Sequence, residues 1–144
     1  MSVNKCDRKL SKTEFDEAYF KLYDDCINLI ELNFGAKGEI AEHHKAYIGV
    51  MADRILKVVC DMGTHIRIAN SIYPKYKAEC ETRRIHQDKA LGLCFDLLTK
   101  YQLVMQKLRV KDDKFVEEIK HIRHEINCLK GWRESDFKRY KDLG

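Results

Sequence analysis

The feature that most narrows the fold is the return of apolar residues at every third or fourth position through four long stretches, with a single proline in the whole chain. Phe15, Tyr19, Leu22, Cys26, Leu29 and Ile30 share one helical face. Ser11-Lys12-Thr13-Glu14 has the S-x-x-E form of a capping box, which places the helix start near Lys12, and Asn33-Phe34-Gly35-Ala36-Lys37-Gly38 ends it. Residues 39–44 are polar but helix-compatible, so a second helix begins near Glu39 or, as the apolar pattern favours, near Lys45. Its stripe is Ile48, Met51, Ile55, Val58, Val59, Met62, Ile66 and Ala69, and Pro74 stops it near Ile72. A third helix is predicted from about Tyr76 to Leu108, with Ala90, Leu93, Cys94, Leu97, Leu98, Tyr101, Val104 and Leu108 facing inward behind two polar turns. Asp112 or Asp113 can cap a fourth, which carries Phe115, Val116, Ile119, Ile122, Ile126 and Leu129 and stops at Lys130-Gly131.

Four amphipathic segments joined by short polar connections, with no alternating strand pattern, predict an all-α chain folded as an antiparallel up-down-up-down four-helix bundle. The 144 residues suit one domain, with residues 1–12 expected to be flexible and 131–144 a short basic tail. That tail sets Trp132, Phe137 and Tyr140 among Arg133, Lys138, Arg139 and Lys141, a composition suited to binding. No internal repeat or low-complexity tract interrupts the pattern.

Several functional classes are set aside by the same reading. No stretch approaches the ~18 apolar residues of a membrane span, and the opening MSVNKCDRKLSK is charged where a signal peptide is apolar, so the expected location is the cytoplasm. Cys6, Cys26, Cys60, Cys80, Cys94 and Cys128 are scattered singly, without a CxxC pair, and read as reduced thiols, several of them in the core. One E-x-x-H motif, Glu118 to His121, is too little for a di-metal carboxylate bundle. At ~100° per residue, His121 also points well away from Ile119. Glu42-His43-His44 and the pair His121 and His124 read as solvated polar faces, and no metal or cofactor is expected. No nucleophile elbow, phosphate loop or papain-like cysteine context occurs, and no catalytic residues are expected.

Charge is divided unevenly. Residues 1–73 carry 10 Lys and Arg against 11 Asp and Glu, net −1, whereas residues 74–144 carry 17 against 12, net +5. Lys75, Lys77, Arg83, Arg84, His86 and Lys89 crowd the polar start of the third helix, either to meet phosphates or as a solvated face paired with Glu79, Glu81 and Asp88. From Glu14 to Asn33 the first helix has six acidic residues and one lysine. That face either flanks the basic helices of its own chain or serves head-to-tail subunit contacts.

Arg83-Arg84-Ile85-His86-Gln87, continuing through Ala90 to Leu98, resembles the third helix of the accessory variability determinant (Avd) proteins of diversity-generating retroelements. Glu125-Ile126-Asn127-Cys128-Leu129-Lys130-Gly131-Trp132-Arg133-Glu134-Ser135-Asp136 resembles the E-I-x-x-L-K-G-W-x-x-S-D ending of that family, followed here by Lys138 and Arg139. The likeness is specific over roughly residues 74–140. Earlier it rests on helix pattern, with Ala52-Asp53-Arg54-Ile55 similar to a G-E-R-I element and residues 35–44 as extra length.

The resemblance implies a four-helix bundle that assembles into a basic homopentamer and binds a reverse transcriptase and its RNA template, and possibly DNA. Such a protein supports mutagenic retrohoming without an active site of its own. By position, Arg83 and Arg84 match basic residues of the third helix and are expected to contact nucleic acid or polymerase. Lys75, Lys77 and Lys89 follow by proximity; Arg133, Lys138 and Arg139 follow from the tail. Trp132, Arg133, Ser135 and Asp136 match the terminal motif, whose role is either tail docking or partner recognition. A competing reading is a four-helix-bundle protein of the ribosomal RNA intervening-sequence type, structural or RNA-associated, without a polymerase partner.

Overall fold

The computed structural model describes the backbone of residues 5–110 and 113–144, and the side chains of residues 14–110 and 115–144. The described chain is all-helical: α1 (Lys5–Glu31), α2 (Gly38–His43), α3 (Lys45–Ser71), α4 (Lys77–Leu108) and α5 (Asp113–Tyr140), with a single 3-10 turn at Asn33–Gly35. The Asp112 or Asp113 cap lies outside the described side chains, as does Cys6.

Two helices are longer than their sequence signals suggest. α1 begins at Lys5, so Ser11 lies inside the helix and does not cap it. Arg8, Lys9 and Leu10 are good helix formers and carry the helix upstream of the S-x-x-E signal. At the other end, α5 passes through Gly131 and continues to Tyr140, so residues 131–140 are a helical arm and not a loose tail. Glycine within a helix costs about 1 kcal/mol relative to alanine. Here Leu129, Trp132, Asp136 and Tyr140 keep the three-and-four spacing beyond it and bury enough to offset that cost.

The breaks follow backbone chemistry. Asn33 and Phe34 adopt left-handed φ values of 51° and 56°, and Gly35 and Gly38 follow at 83° and 59°. A phenylalanine is rarely left-handed; this one is held there because its ring is 1% exposed. Residues 38–43 form a helix of their own with no buried residue, so the open choice of start for the second helix resolves as a break at His44 between two helices. Ile72 is extended two residues before Pro74, and α4 opens with the Glu79 carboxylate accepting the N–H groups of Lys75 and Tyr76 at 2.9 and 3.0 Å. Arg109, left-handed at φ 52°, closes α4.

Each of the four long helices packs against two others: α3 and α5 both flank α4, and α1 bridges α5 and α3. α2 touches α3. The core holds all eight residues expected of α3, together with Phe15, Leu22, Cys26 and Leu29 of α1, and Phe115, Ile122, Ile126 and Leu129 of α5. Val116 is solvent-exposed instead. Five described cysteines are free thiols, with Cys26 and Cys94 fully buried. No described helix is long and apolar enough to cross a membrane.

Polar groups enter this core at three levels. Tyr19 donates to the Val59 carbonyl at 2.8 Å across the α1–α3 seam, passing over Gly63, where a Cβ would lie 2.1 Å from its hydroxyl oxygen. Tyr101 donates to Glu118 at 3.3 Å and lies 3.2 Å from the Cys26 sulfur, whose pKa burial pushes up to about 12. Glu125 is 0% exposed, and neither carboxylate oxygen has a hydrogen-bond partner among the described residues. Burial, helped by the nearby Asp16 charge, pushes its pKa up to about 9, so Glu125 is a neutral acid at pH 7.

Two expectations follow. Gly63→Ala drives Tyr19 out of the seam and costs about 1–3 kcal/mol by urea denaturation. For Glu125, the folded chain holds a proton that the unfolded chain releases near the ordinary 4.5, so stability falls as pH rises from about 4.5 to about 9. The limiting slope is about 1.4 kcal/mol per pH unit, and Glu125→Gln flattens it in denaturation midpoints taken across that window.

Candidate nucleic-acid interface

The polar start of α4 continues the apolar stripe instead of abandoning it. Arg83 and Gln87 lie one turn apart on the face that Ala90 and Cys94 extend, and both are buried. On α5, Asp136 occupies the corresponding inward position beyond Leu129 and Trp132 and is also buried. Three buried polar groups must satisfy one another or lose more than hydration gave them. Arg83 donates through Nε and Nη2 to the two Asp136 oxygens, a bidentate pair, while Gln87 Nε2 donates to Oδ2 at 2.6 Å. Arg83 Nη1 donates to the Ile72 carbonyl at 2.7 Å and leans on that of Ala69 at 3.4 Å, both at the end of α3.

Aromatic rings complete the enclosure. The guanidinium carbon is 5.2 Å from the Trp132 ring centre and 5.9 Å from that of Tyr140. Trp132 stacks on Phe15 of α1 with centroids 3.9 Å apart and planes within 7°. Arg83 therefore connects α3, α4 and α5 directly, and α1 through Trp132. Arg83, expected to contact nucleic acid or polymerase, is 6% exposed, and its hydrogen bonds go to Asp136, Ile72 and Ala69. The adjacent arginines divide, because Arg84 sits one helical step round, on the solvent side, 4.0 Å from Asp88.

Above this cluster lies a groove of about 390 Å³ between the first turns of α4 and the last turns of α5. Arg83, Gln87 and Asp136 form its floor, Phe137, Tyr140 and Leu143 give it apolar surface, and Lys77, Arg84, Arg133 and Lys141 supply positive charge. The Lys77 N–H donates to the Gly144 carbonyl at 2.8 Å, joining the two sides. Arg133 reaches Asp88 at 2.8 Å, so one acid on α4 steadies the rim cations Arg84 and Arg133.

Of the expected binding residues, Lys77, Arg84 and Arg133 meet at this groove. Lys75, Lys89, Lys138 and Arg139 are solvent-exposed but do not line it, and Arg139 instead lies 5.8 Å from the Tyr140 ring centre. Phe137 and Lys141 join the site; the sequence places both in the basic, aromatic tail without marking either as a binding residue. Their signal is the four-residue step from Arg133 to Phe137 to Lys141, legible only once α5 is known to run past Gly131.

Comparison with known protein families, curated proteins and solved structures finds no match. The chemistry of the groove therefore carries the functional reading. Cations beside aromatic surface are chemically complementary to a ligand that combines negative charge with flat apolar rings. The E-x-x-H residues separate, with Glu118 bound to Tyr101 and His121 at 2.7 Å from Asp25 of α1.

Removing one partner of the buried pair leaves a charge without compensation. Asp136→Ala and Arg83→Ala are each expected to cost about 3–5 kcal/mol in chemical denaturation. Arg83→Lys recovers little of that loss, since an ammonium does not reproduce the bidentate fork.

Proposed function

We propose that the chain is a non-enzymatic accessory protein of a diversity-generating retroelement, one that binds a reverse transcriptase and its template RNA or complementary DNA in support of mutagenic retrohoming. The observation that carries this reading is the meeting of the two segments that resemble the accessory variability determinant family. Arg83 and Gln87 from one and Asp136 from the other form the floor of a single basic, aromatic groove. Lys77, Arg84, Arg133 and Lys141 suit a phosphate backbone, and Phe137, 59% exposed, suits an unpaired base. The polymerase chemistry belongs to the partner.

The same reading takes the fold as an antiparallel up-down-up-down four-helix bundle with α2 as an addition in the first connection. The cross-helix pairs support it: moving down α4, Gln87 meets Asp136, Cys94 meets the Ile122 carbonyl and Tyr101 meets Glu118, in descending order along α5. Assembly as a cytoplasmic homopentamer belongs to the proposal too. The acidic stretch from Glu14 to Asn33 and the basic groove between α4 and α5 provide the opposite charges that a head-to-tail ring needs.

The decisive experiment is RNA binding by fluorescence anisotropy across a salt series. Arg84→Glu with Lys141→Glu is expected to weaken binding at least tenfold and to lower the slope of log affinity against log salt by about 1.4, the share of two phosphate contacts on a single strand. Phe137→Ala costs about 1–3 kcal/mol of affinity if a base stacks there. Unchanged RNA affinity and unchanged capture of the cognate reverse transcriptase in the charge-reversed variant would refute the assignment. A monomeric mass by light scattering at micromolar concentration would refute the ring.

A further inference from the structure

On the opposite side of α5 from its contact with α4, three side chains of different chemistry converge. Glu14 comes from α1, and His124 and Cys128, one helical turn apart, come from α5. Their donor atoms all lie within 4.8 Å of one another. We propose that Glu14, His124 and Cys128 form a binding site for a borderline transition-metal cation, with Zn²⁺ as the ligand it fits best, independent of the basic groove.

The distances are compatible with coordination of one ion. Zn²⁺ bonds of about 2.3 Å to sulfur and about 2.0–2.2 Å to nitrogen and oxygen, at tetrahedral angles, place neighbouring donors about 3.3–3.6 Å apart. His124 Nε2 lies 3.5 Å from the Cys128 sulfur and 3.6 Å from Glu14 Oε1. The nitrogen–oxygen separation is too long for a good hydrogen bond but matches an edge of a coordination tetrahedron. The remaining edge closes by rotating the Glu14 carboxylate, which is exposed and free to turn.

The backbones that carry these donors are held in place. Phe15, next to Glu14, stacks on Trp132, one turn beyond Cys128, and His121 pairs with Asp25 farther along the same seam. The donor set selects the ion. Thiolate and imidazole favour Zn²⁺ over Mg²⁺ or Ca²⁺, which take oxygen ligands. Three protein ligands leave the fourth position to water. Binding uses neutral His124, ionised Glu14 and the Cys128 thiolate, so the thiol proton passes to solvent. The bound ion ties the beginning of α1 to α5. His124 has Cys128 beside it one turn along α5, and gains Glu14 only when α1 and α5 come together.

The test uses the full chain, reduced, stripped of metal and titrated with Co²⁺. One equivalent is expected to produce the near-ultraviolet thiolate-to-cobalt absorption together with the visible bands of a tetrahedral ion, and one equivalent of Zn²⁺ is expected to erase both. Cys128→Ser removes the near-ultraviolet band, and His124→Ala weakens Co²⁺ binding at least tenfold. Cys80→Ser, which alters a thiol of α4 outside the proposed donor set, changes neither. In the unmodified chain, Zn²⁺ but not Mg²⁺ slows iodoacetamide alkylation of Cys128, a readout that does not depend on any variant folding. The proposal is overturned by the absence of the thiolate band at millimolar Co²⁺, by its survival in Cys128→Ser, or by alkylation of Cys128 at the same rate with and without Zn²⁺.

Discussion

The Arg83 guanidinium is the point at which the helices agree on one arrangement. Apolar stripes along α1, α3, α4 and α5 bring the helices together, but a hydrophobic seam tolerates small rotations and slips of register. A planar cation that must satisfy Asp136 on α5 and the Ile72 carbonyl at the end of α3, with Trp132 and Tyr140 beside it, tolerates far less. Buried charge of this kind adds little net stability compared with a well-packed apolar alternative. Its value lies in the arrangements it forbids.

The charges are consequently divided by depth. Those under the groove are consumed in holding α3, α4 and α5 together, whereas Lys77, Arg84, Arg133 and Lys141 line the groove above them, with Arg84 and Arg133 beside Asp88. Arg83 and Arg84, adjacent in sequence, end up in different roles because one step of a helix turns by about 100°.

Much of this was legible beforehand and some was not, for reasons that particular residues make plain. The α3 stripe from Ile48 to Ala69 was readable in full because every inward position is apolar. The inward faces of α4 and α5 were readable only where they are apolar. Arg83, Gln87, Glu118, Glu125 and Asp136 are polar residues in buried positions, and their partners lie far away in sequence or, for Glu125, are not found among the described residues. Gly131 read as a stop because its local propensity is poor, while the packing that overrides it comes from Trp132 and Asp136 meeting α1 and α4. The same blindness to tertiary partners hid the convergence of Glu14 with His124 and Cys128.

Trp132 is the sole tryptophan of the chain. Wedged between the Phe15 ring and the Arg83 cation, it touches α1 and α4 from α5 and so occupies the junction whose integrity matters most. Nature has placed a single indole chromophore at the keystone. Its emission colour and intensity report, without any attached label, whether that junction is closed, and do so for the folding of the scaffold and for any ligand that disturbs the groove above it.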